Sequence, residues 1–355
     1  MPEKHLALMV RKQAKKYGER TALRYRENGQ WQDISWKEVG ERVHAVAKAL
    51  LEMGIKTGDM VGVFSQNCPE WSIADLGILS VRGVSVPIYA TNTAKQTEYI
   101  VDEAEIAVLF VGAKDQYQKA TSIISASKYL KKIIVFDSNL PLADGDQAVY
   151  FKDFLELGRK STREQELEER LKKADMNDLA TLIYTSGTTG EPKGVMLNHS
   201  NFYFSFQAHN KRLAVSDQDI SMCFLPLSHV FERAWTYFAL GSGMVVNYCD
   251  DTHQDHRNVA RAVITAARYT KNLLFYEVPT TQNFVPTVFS DIGAILGHKV
   301  RLLKCHRSQV YKTRVKNLSI IETAKSTAVF RGYQDRVKYA EGFTPQRLLL
   351  DLVFK

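Results

Sequence analysis

The chain has 355 residues, 45% of them hydrophobic and 24% charged, the balance of a globular protein able to bury a large core in one domain or two. No run of 18 or more apolar residues occurs, which excludes a membrane-spanning helix. The net charge of +8 is unevenly spread: residues 252–355 hold 17 Lys and Arg against 7 Asp and Glu, a balance of +10, which leaves residues 1–251 at −2. A basic block of this kind, taken by itself, suggests a surface for nucleic acid or an acidic membrane. The four cysteines, Cys68, Cys223, Cys249 and Cys305, lack the paired spacing of metal or redox sites. They read as reduced and structural, which points to the cytoplasm.

Met1 to Gly18 mixes Lys4, Lys12, Lys15 and Lys16 with apolar residues at helical spacing, which predicts an opening helix and no signal peptide. Thr21–Arg26 and Gln30–Ile34 flank Asn28-Gly29, the pattern of a β-hairpin. Ser35 with Glu38 three residues on forms a capping box, and Val39, Val43, Val46, Ala47, Leu50 and Leu51 then share one helical face until Gly54. Thr57-Gly58-Asp59 reads as a turn. A strand at Met60–Phe64, a helix opened by Pro69 and a strand at Val84–Ile88 make a strand-helix-strand unit. Further strands follow at Ala107–Val111, Lys132–Phe136 and Ala180–Thr185. Such alternation predicts an α/β fold, a parallel sheet covered by helices on both faces, with ligands at the carboxyl ends of its strands. Residues 158–178, rich in Glu, Arg and Lys, interrupt the alternation and read as a solvated helix.

The strand ending at Tyr184 runs straight into Thr185-Ser-Gly-Thr-Thr-Gly-Glu-Pro-Lys-Gly194, where four hydroxyls, three glycines and one lysine lie within ten residues. Glycines let backbone N–H groups close around an anion, hydroxyls add donors, and Lys193 adds a positive charge for a polyphosphate. The string differs from a Walker loop, because Pro192 precedes the lysine and Gly194 follows it. A ligand-free Gly/Ser/Thr hairpin is the bland alternative, and the ordered string of ten residues is too specific for it. Further on, Phe224-Leu-Pro-Leu-Ser-His-Val-Phe-Glu232 and Arg233 precede Trp235, Tyr237, Phe238 and Leu240. These aromatics read as core rather than as a tunnel lining.

Tyr184 to Val195 resembles the phosphate-binding signature of the adenylate-forming (AMP-binding) superfamily, and its surroundings look most like bacterial long-chain fatty acyl-CoA synthetases. Met196-Leu-Asn-His-Ser-Asn-Phe202, the block from Phe224 to Arg233, Asn67-Cys-Pro-Glu-Trp71, Val86-Pro-Ile-Tyr89, Thr91, Tyr99 and Ile100 extend the resemblance over residues 1 to about 251. It implies a partial amino-terminal domain of the acyl-CoA synthetase/luciferase-like fold. It implies that Thr185, Ser186, Gly187, Thr188, Thr189, Gly190 and Lys193 hold the phosphates of ATP, and that His229 lies beside the reacting carboxyl group. Without its flanking residues, His229 would read as a histidine capping a neighbouring helix. The implied reaction has two halves. A long-chain fatty carboxylate attacks the α-phosphorus of ATP and expels pyrophosphate, with magnesium on the phosphates, and coenzyme A then displaces AMP. Peripheral association with the inner membrane face would suit such a substrate.

After Asp250-Asp251-Thr252 the resemblance ends. The family's aromatic-Gly-x-Thr-Glu block, whose glutamate serves magnesium, its later ribose-binding Thr-Gly-Asp and its Gly-Lys with the catalytic lysine are all absent from residues 253–355. Val278-Pro279 and Val329-Phe-Arg-Gly-Tyr333 are faint echoes only. Loss of resemblance and change of charge coincide, so the expected division is a partial AMP-binding domain at 1–251 and a divergent basic tail at 252–355. A shifted reading frame or gene fusion, a divergent domain, and a basic module for nucleic acid compete for the tail, and the first is favoured, since the tail shows no sustained apolar period and no Cys/His metal spacing. The expectation is an incomplete ATP-dependent fatty acid-activating enzyme. A non-catalytic nucleotide- or nucleic-acid-binding protein and an inactive gene product are the alternatives.

Overall fold

In the computed structural model, residues 4–27, 29–143, 145, 147–185, 192–248, 273–276, 285–305, 310 and 318–347 are described. They fall into two compact units, the first holding the described residues up to Tyr248 and the second those from Leu273 on. No helix among the described residues is long and apolar enough to cross a membrane.

The first unit opens with α1 (Leu6–Tyr17), then the antiparallel pair β1 (Thr21–Glu27) and β2 (Gln30–Ser35). This is the expected hairpin; Gly29 has φ 78°, and Asn28 lies outside the described residues. In α2 (Trp36–Glu52) Ser35 Oγ accepts from the Glu38 N–H at 3.2 Å, but the reciprocal half of the expected capping box is not formed. The Glu38 carboxylate turns instead to Arg42, one helical turn on. The predicted apolar face is buried throughout, from Val39 to Leu51.

Seven strands form the main sheet in the order β7-β6-β5-β3-β4-β8-β9, namely β3 (Met60–Phe64), β4 (Val84–Ile88), β5 (Val108–Val111), β6 (Lys132–Val135), β7 (Ala148–Tyr150), β8 (Leu179–Thr185) and β9 (Lys193–Asn198). All neighbours are parallel except β8 and β9. Alternate residues of one strand enter different cores, as the pleat requires. Val108 and Phe110 pack with α2, with α3 (Pro69–Ser80) and with α6 (Phe151–Lys160), whereas Leu109 and Val111 pack with α4 (Ala94–Glu103) and α5 (Lys114–Ile124). Helices therefore cover both faces, as expected. α3 is buried almost all round, which its near-continuous apolar sequence requires. It approaches α2 so closely that a Cβ on Gly77 would stand 2.3 Å from Val46.

The charged stretch 158–178 departs from expectation. It holds the end of α6 and a separate helix, α7 (Glu164–Lys172), rather than one solvated helix. Leu167 and Leu171 are buried in the main core, and Arg170 donates to the carbonyls of Ile55 and Val81 at 2.9 and 3.1 Å. The charges dominate the composition while two leucines, four residues apart, make the contact face. A second sheet, β10-β11-β1-β2, joins β10 (Ile220–Cys223) and β11 (Val245–Tyr248) to the opening hairpin, with α8 (His199–Asn210) and α9 (Val230–Gly241) nearby in sequence.

The second unit holds a three-stranded antiparallel sheet, with Ala340–Arg347 between Leu273–Tyr276 and Val288–Asp291. Two helices, Leu296–Cys305 and Ile320–Gln334, accompany it, and Ile292, Leu296 and Ala328 form a small core. Val278-Pro279 lies outside the described residues, and the echo from Val329 to Tyr333 falls within the second helix.

Where α1 meets α8, His5 and His199 stack with ring centroids 3.5 Å apart. His199 Nδ1 accepts from the Leu6 N–H at 3.3 Å, whereas neither His5 nitrogen makes a hydrogen bond, and His5 Nε2 stands 3.9 Å from Asp178 Oδ2. Desolvation lowers the His5 pKa from 6.5 to about 4, and burial pushes His199 down as well. The unfolded chain thus takes up a proton at a pH where the fold refuses it. Stability from His5 is full above pH 6.5 and is lost as pH falls towards 4, about 3 kcal/mol in all. Urea unfolding at pH 7, 5.5 and 4.5 should show this loss, and His5→Phe should lessen it, leaving the part due to His199. Equal slopes for both proteins would remove His5 as the cause.

Candidate functional site

The site begins with the direction of β8. Its residues Ala180 to Tyr184 are buried, and it runs parallel to β4, so its end lies at the same edge as the ends of β3, β4 and β5. The chain returns as β9 in antiparallel register, with Tyr184 opposite Gly194 and Thr185 opposite Lys193. Thr185 and Lys193, both exposed, therefore face one another across the mouth of the Ser186–Pro192 connection. Ser186, Gly187, Thr188, Thr189 and Gly190 lie outside the described residues. Just before Lys193, the Pro192 carbonyl accepts from the Tyr99 hydroxyl of α4 at 3.3 Å.

Beyond the ends of β3 and β4, a cavity of about 220 Å³ is lined by Ser65, Gln66, Asn67, Tyr89, Thr91 and Ser228, with Ala90 and Pro226. Its polar lining consists of hydroxyls and amides. The Phe224–His229 segment forms one wall and is held by side chains from two directions. Asn67 Nδ2 donates to the Leu225 carbonyl at 2.7 Å and Asn67 Oδ1 accepts from the Leu227 N–H at 2.9 Å. From α9, Glu232 Oε2 accepts from the Leu225 N–H at 3.1 Å. Burial pushes the Glu232 carboxyl up to about 7.

His229 is the amino-terminal cap of α9, its Nδ1 accepting from the Phe231 N–H at 3.2 Å. The capping arrangement, weighed above as the bland alternative, is thus formed. It does not consume the residue. An accepting Nδ1 places the neutral ring's proton on Nε2, so the other edge carries a donor. Desolvation holds the His229 pKa below its usual 6.5, which favours that neutral form.

Behind His229, one turn further along the helix, Arg233 ties α9 into the sheet. Arg233, fully buried, forks onto Asp75 of α3 through Nε–Oδ2 at 2.9 Å and Nη2–Oδ1 at 2.6 Å, and its Nη1 meets Thr181 Oγ1 of β8 at 2.5 Å. Thr181 Oγ1 in turn donates to the Ser85 carbonyl of β4 at 2.7 Å. One guanidinium therefore links the helix capped by His229 to the strand that carries Thr185. Tyr237, Phe238 and Leu240 are core, as expected.

Sequence reasoning gave Asn67, Asp75 and Glu232 no role. A single acid inside the apolar run Ile73-Ala-Asp-Leu-Gly-Ile-Leu79 was the available signal, since a buried carboxylate demands a partner. Asn67 is marked only as the first residue of Asn67-Cys-Pro-Glu-Trp71, and nothing there points to its backbone partners some 160 residues away.

The model of the AMP-binding enzyme family matches residues 10–327, past the point where the recognisable motifs end. The chain belongs to that family. Over 219 residues it is 35% identical to the long-chain-fatty-acid–CoA ligase ACSBG2 of Xenopus laevis, covering 61% of this chain and 29% of that protein. It is 33% identical over 227 residues to the long-chain-fatty-acid–CoA ligase FadD15 of Mycobacterium bovis, covering 63% of this chain and 36% of that one. The matched segments thus span about a third of these relatives' length. The anthranilate CoA ligase AuaEII, solved with anthranoyl-AMP, has the same fold over 75% of this chain and 48% of its own, with a TM-score of 0.62 and 19% identity. The α/β architecture is accordingly that of acyl-CoA ligase amino-terminal domains.

Proposed function

We propose that this chain carries the phosphate-binding part of an enzyme that activates long-chain fatty acids with ATP, first to acyl-AMP and then to acyl-CoA. The supporting observation is the β8–β9 hairpin, which sets Thr185 and Lys193 opposite one another at the carboxyl edge of a parallel sheet, where ligands of such sheets bind. In this reading Thr185, Ser186, Gly187, Thr188, Thr189, Gly190 and Lys193 hold the ATP phosphates. His229, with a proton on Nε2, stands beside the carboxylate and donates to oxygens that gain charge. Magnesium enters this reading on the phosphates, as part of the MgATP substrate. The proposed domain is residues 1–251.

Titration with a fluorescent ATP analogue tests the reading. Lys193→Ala and Thr188→Ala should each weaken binding by about tenfold, the loss of one charge-assisted contact. Unchanged affinity in both variants would sink the assignment of the loop.

A further inference from the structure

We propose that Asn67 is a positioning residue for His229. The inference rests on the function proposed above, since it gives His229 a purpose, but the contacts stand independently of it. Asn67 lies in the connection from β3 to α3, half-buried, and reaches the Phe224–His229 segment across the cavity wall. Its carboxamide makes a two-point clamp: Nδ2 donates to the Leu225 carbonyl at 2.7 Å, and Oδ1 accepts from the Leu227 N–H at 2.9 Å. A backbone carbonyl can only accept and a backbone N–H only donate, so the two contacts fix which end of the amide is which. Nδ2 also lies 3.4 Å from Cys223 Sγ.

No other residue type meets the demand. Aspartate lacks the donor and would set a charge against the Leu225 carbonyl, serine has one polar atom, and glutamine is a methylene longer. The clamp acts on His229 through a short path. With Leu225 and Leu227 fixed, the His229 N–H donates to the Pro226 carbonyl at 2.9 Å and closes a turn, and the ring then caps α9 through Nδ1. Leu227 is 1% exposed, so its N–H has little access to water if Asn67 is removed. The strand end that forms the cavity thereby also sets the edge of the imidazole that faces its ligand.

The test is the titration of His229 by NMR in protein labelled at histidine, its signal assigned by comparison with His229→Asn. In Asn67→Ala the segment loses both Asn67 contacts and keeps only the Glu232 bond to the Leu225 N–H, the ring loses surroundings that desolvate it, and its pKa should climb towards 6.5. Exchange of the Leu227 amide should accelerate on the order of tenfold, as loss of one buried hydrogen bond implies. Asn67→Ser, which keeps one polar atom, gives the same readouts should the alanine variant fail to fold. Ser80→Ala removes a buried hydrogen bond to the Leu76 carbonyl at the far end of α3, and it should leave His229 titrating as in the parent. Reduced stability in the Asn67 variants with His229 titration and Leu227 exchange unchanged would overturn the proposal. Neither readout needs nucleotide. A parent chain that fails to bind ATP defeats the proposed function and still leaves the role of Asn67 to be decided.

Discussion

Replacing Asp75 by alanine should cost the first unit about 3–5 kcal/mol, the usual penalty for stranding one member of a buried ion pair. Arg233 and Asp75 are both fully buried, and the guanidinium has no route to water once its partner is gone. Desolvation pushes the Asp75 carboxyl up and the Arg233 guanidinium down even with each opposite the other, so the pair as a whole adds little net stability. Removal of both charges is therefore a different experiment from removal of one. Asp75→Leu combined with Arg233→Met should unfold with much less loss than the two single changes summed, because no buried charge is left unpaired. Trp71 stands 5.6 Å beneath the guanidinium, and denaturant unfolding followed by tryptophan fluorescence reads the region directly. An Asp75→Ala variant within about 1 kcal/mol of the parent would show that water or another group reaches Arg233, and that the link from α9 to β8 is not rigid.

Local signals decided how much of this could be read in the sequence. Strands such as Met60–Phe64 and Val84–Ile88 are short apolar runs bounded by turns and helices, and parallel packing leaves such runs few alternatives. The string from Thr185 to Gly194 stands out for another reason: its glycines, hydroxyls and lysine are consecutive, so the proposed phosphate chemistry needs no tertiary partner to be read. His229 stands out as a site candidate only through its neighbours in the motif, and its capping bond to Phe231 is the competing role weighed above. The clamp from Asn67 and the fork from Arg233 were not legible. Each joins residues more than 150 positions apart, and no period or spacing encodes which distant backbone group an amide will reach. The burial of α7 was missed because two leucines suffice to dock a helix whose composition is otherwise charged. At Ser35 the spacing of a capping box was present, but Arg42 drew the Glu38 carboxylate away, an outcome that the four-residue signature does not contain.

Incubated with palmitate, ATP, magnesium and coenzyme A, these 355 residues by themselves should form acyl-CoA at least about a hundredfold more slowly than a full-length relative such as the Xenopus ligase. The reasoning is subtractive. Catalytic groups that act as a unit lose most of their joint effect when one is removed, and each lost transition-state charge contact commonly costs about 3 kcal/mol. Residues 252–355 contain no aromatic-Gly-x-Thr-Glu block, no second Thr-Gly-Asp and no Gly-Lys, so several such contacts are missing from this polypeptide together. ATP binding need not share that fate, since the loop between β8 and β9 lies within the matched segment. Measuring both quantities on one preparation separates a misfolded protein, which has neither, from a folded one that binds nucleotide and fails to turn it over. The second outcome is expected. Pyrophosphate release and acyl-CoA formation within tenfold of the full-length relative would refute it, and residues 252–355 would then have to supply charge-stabilising groups of a kind that the family's motifs do not describe.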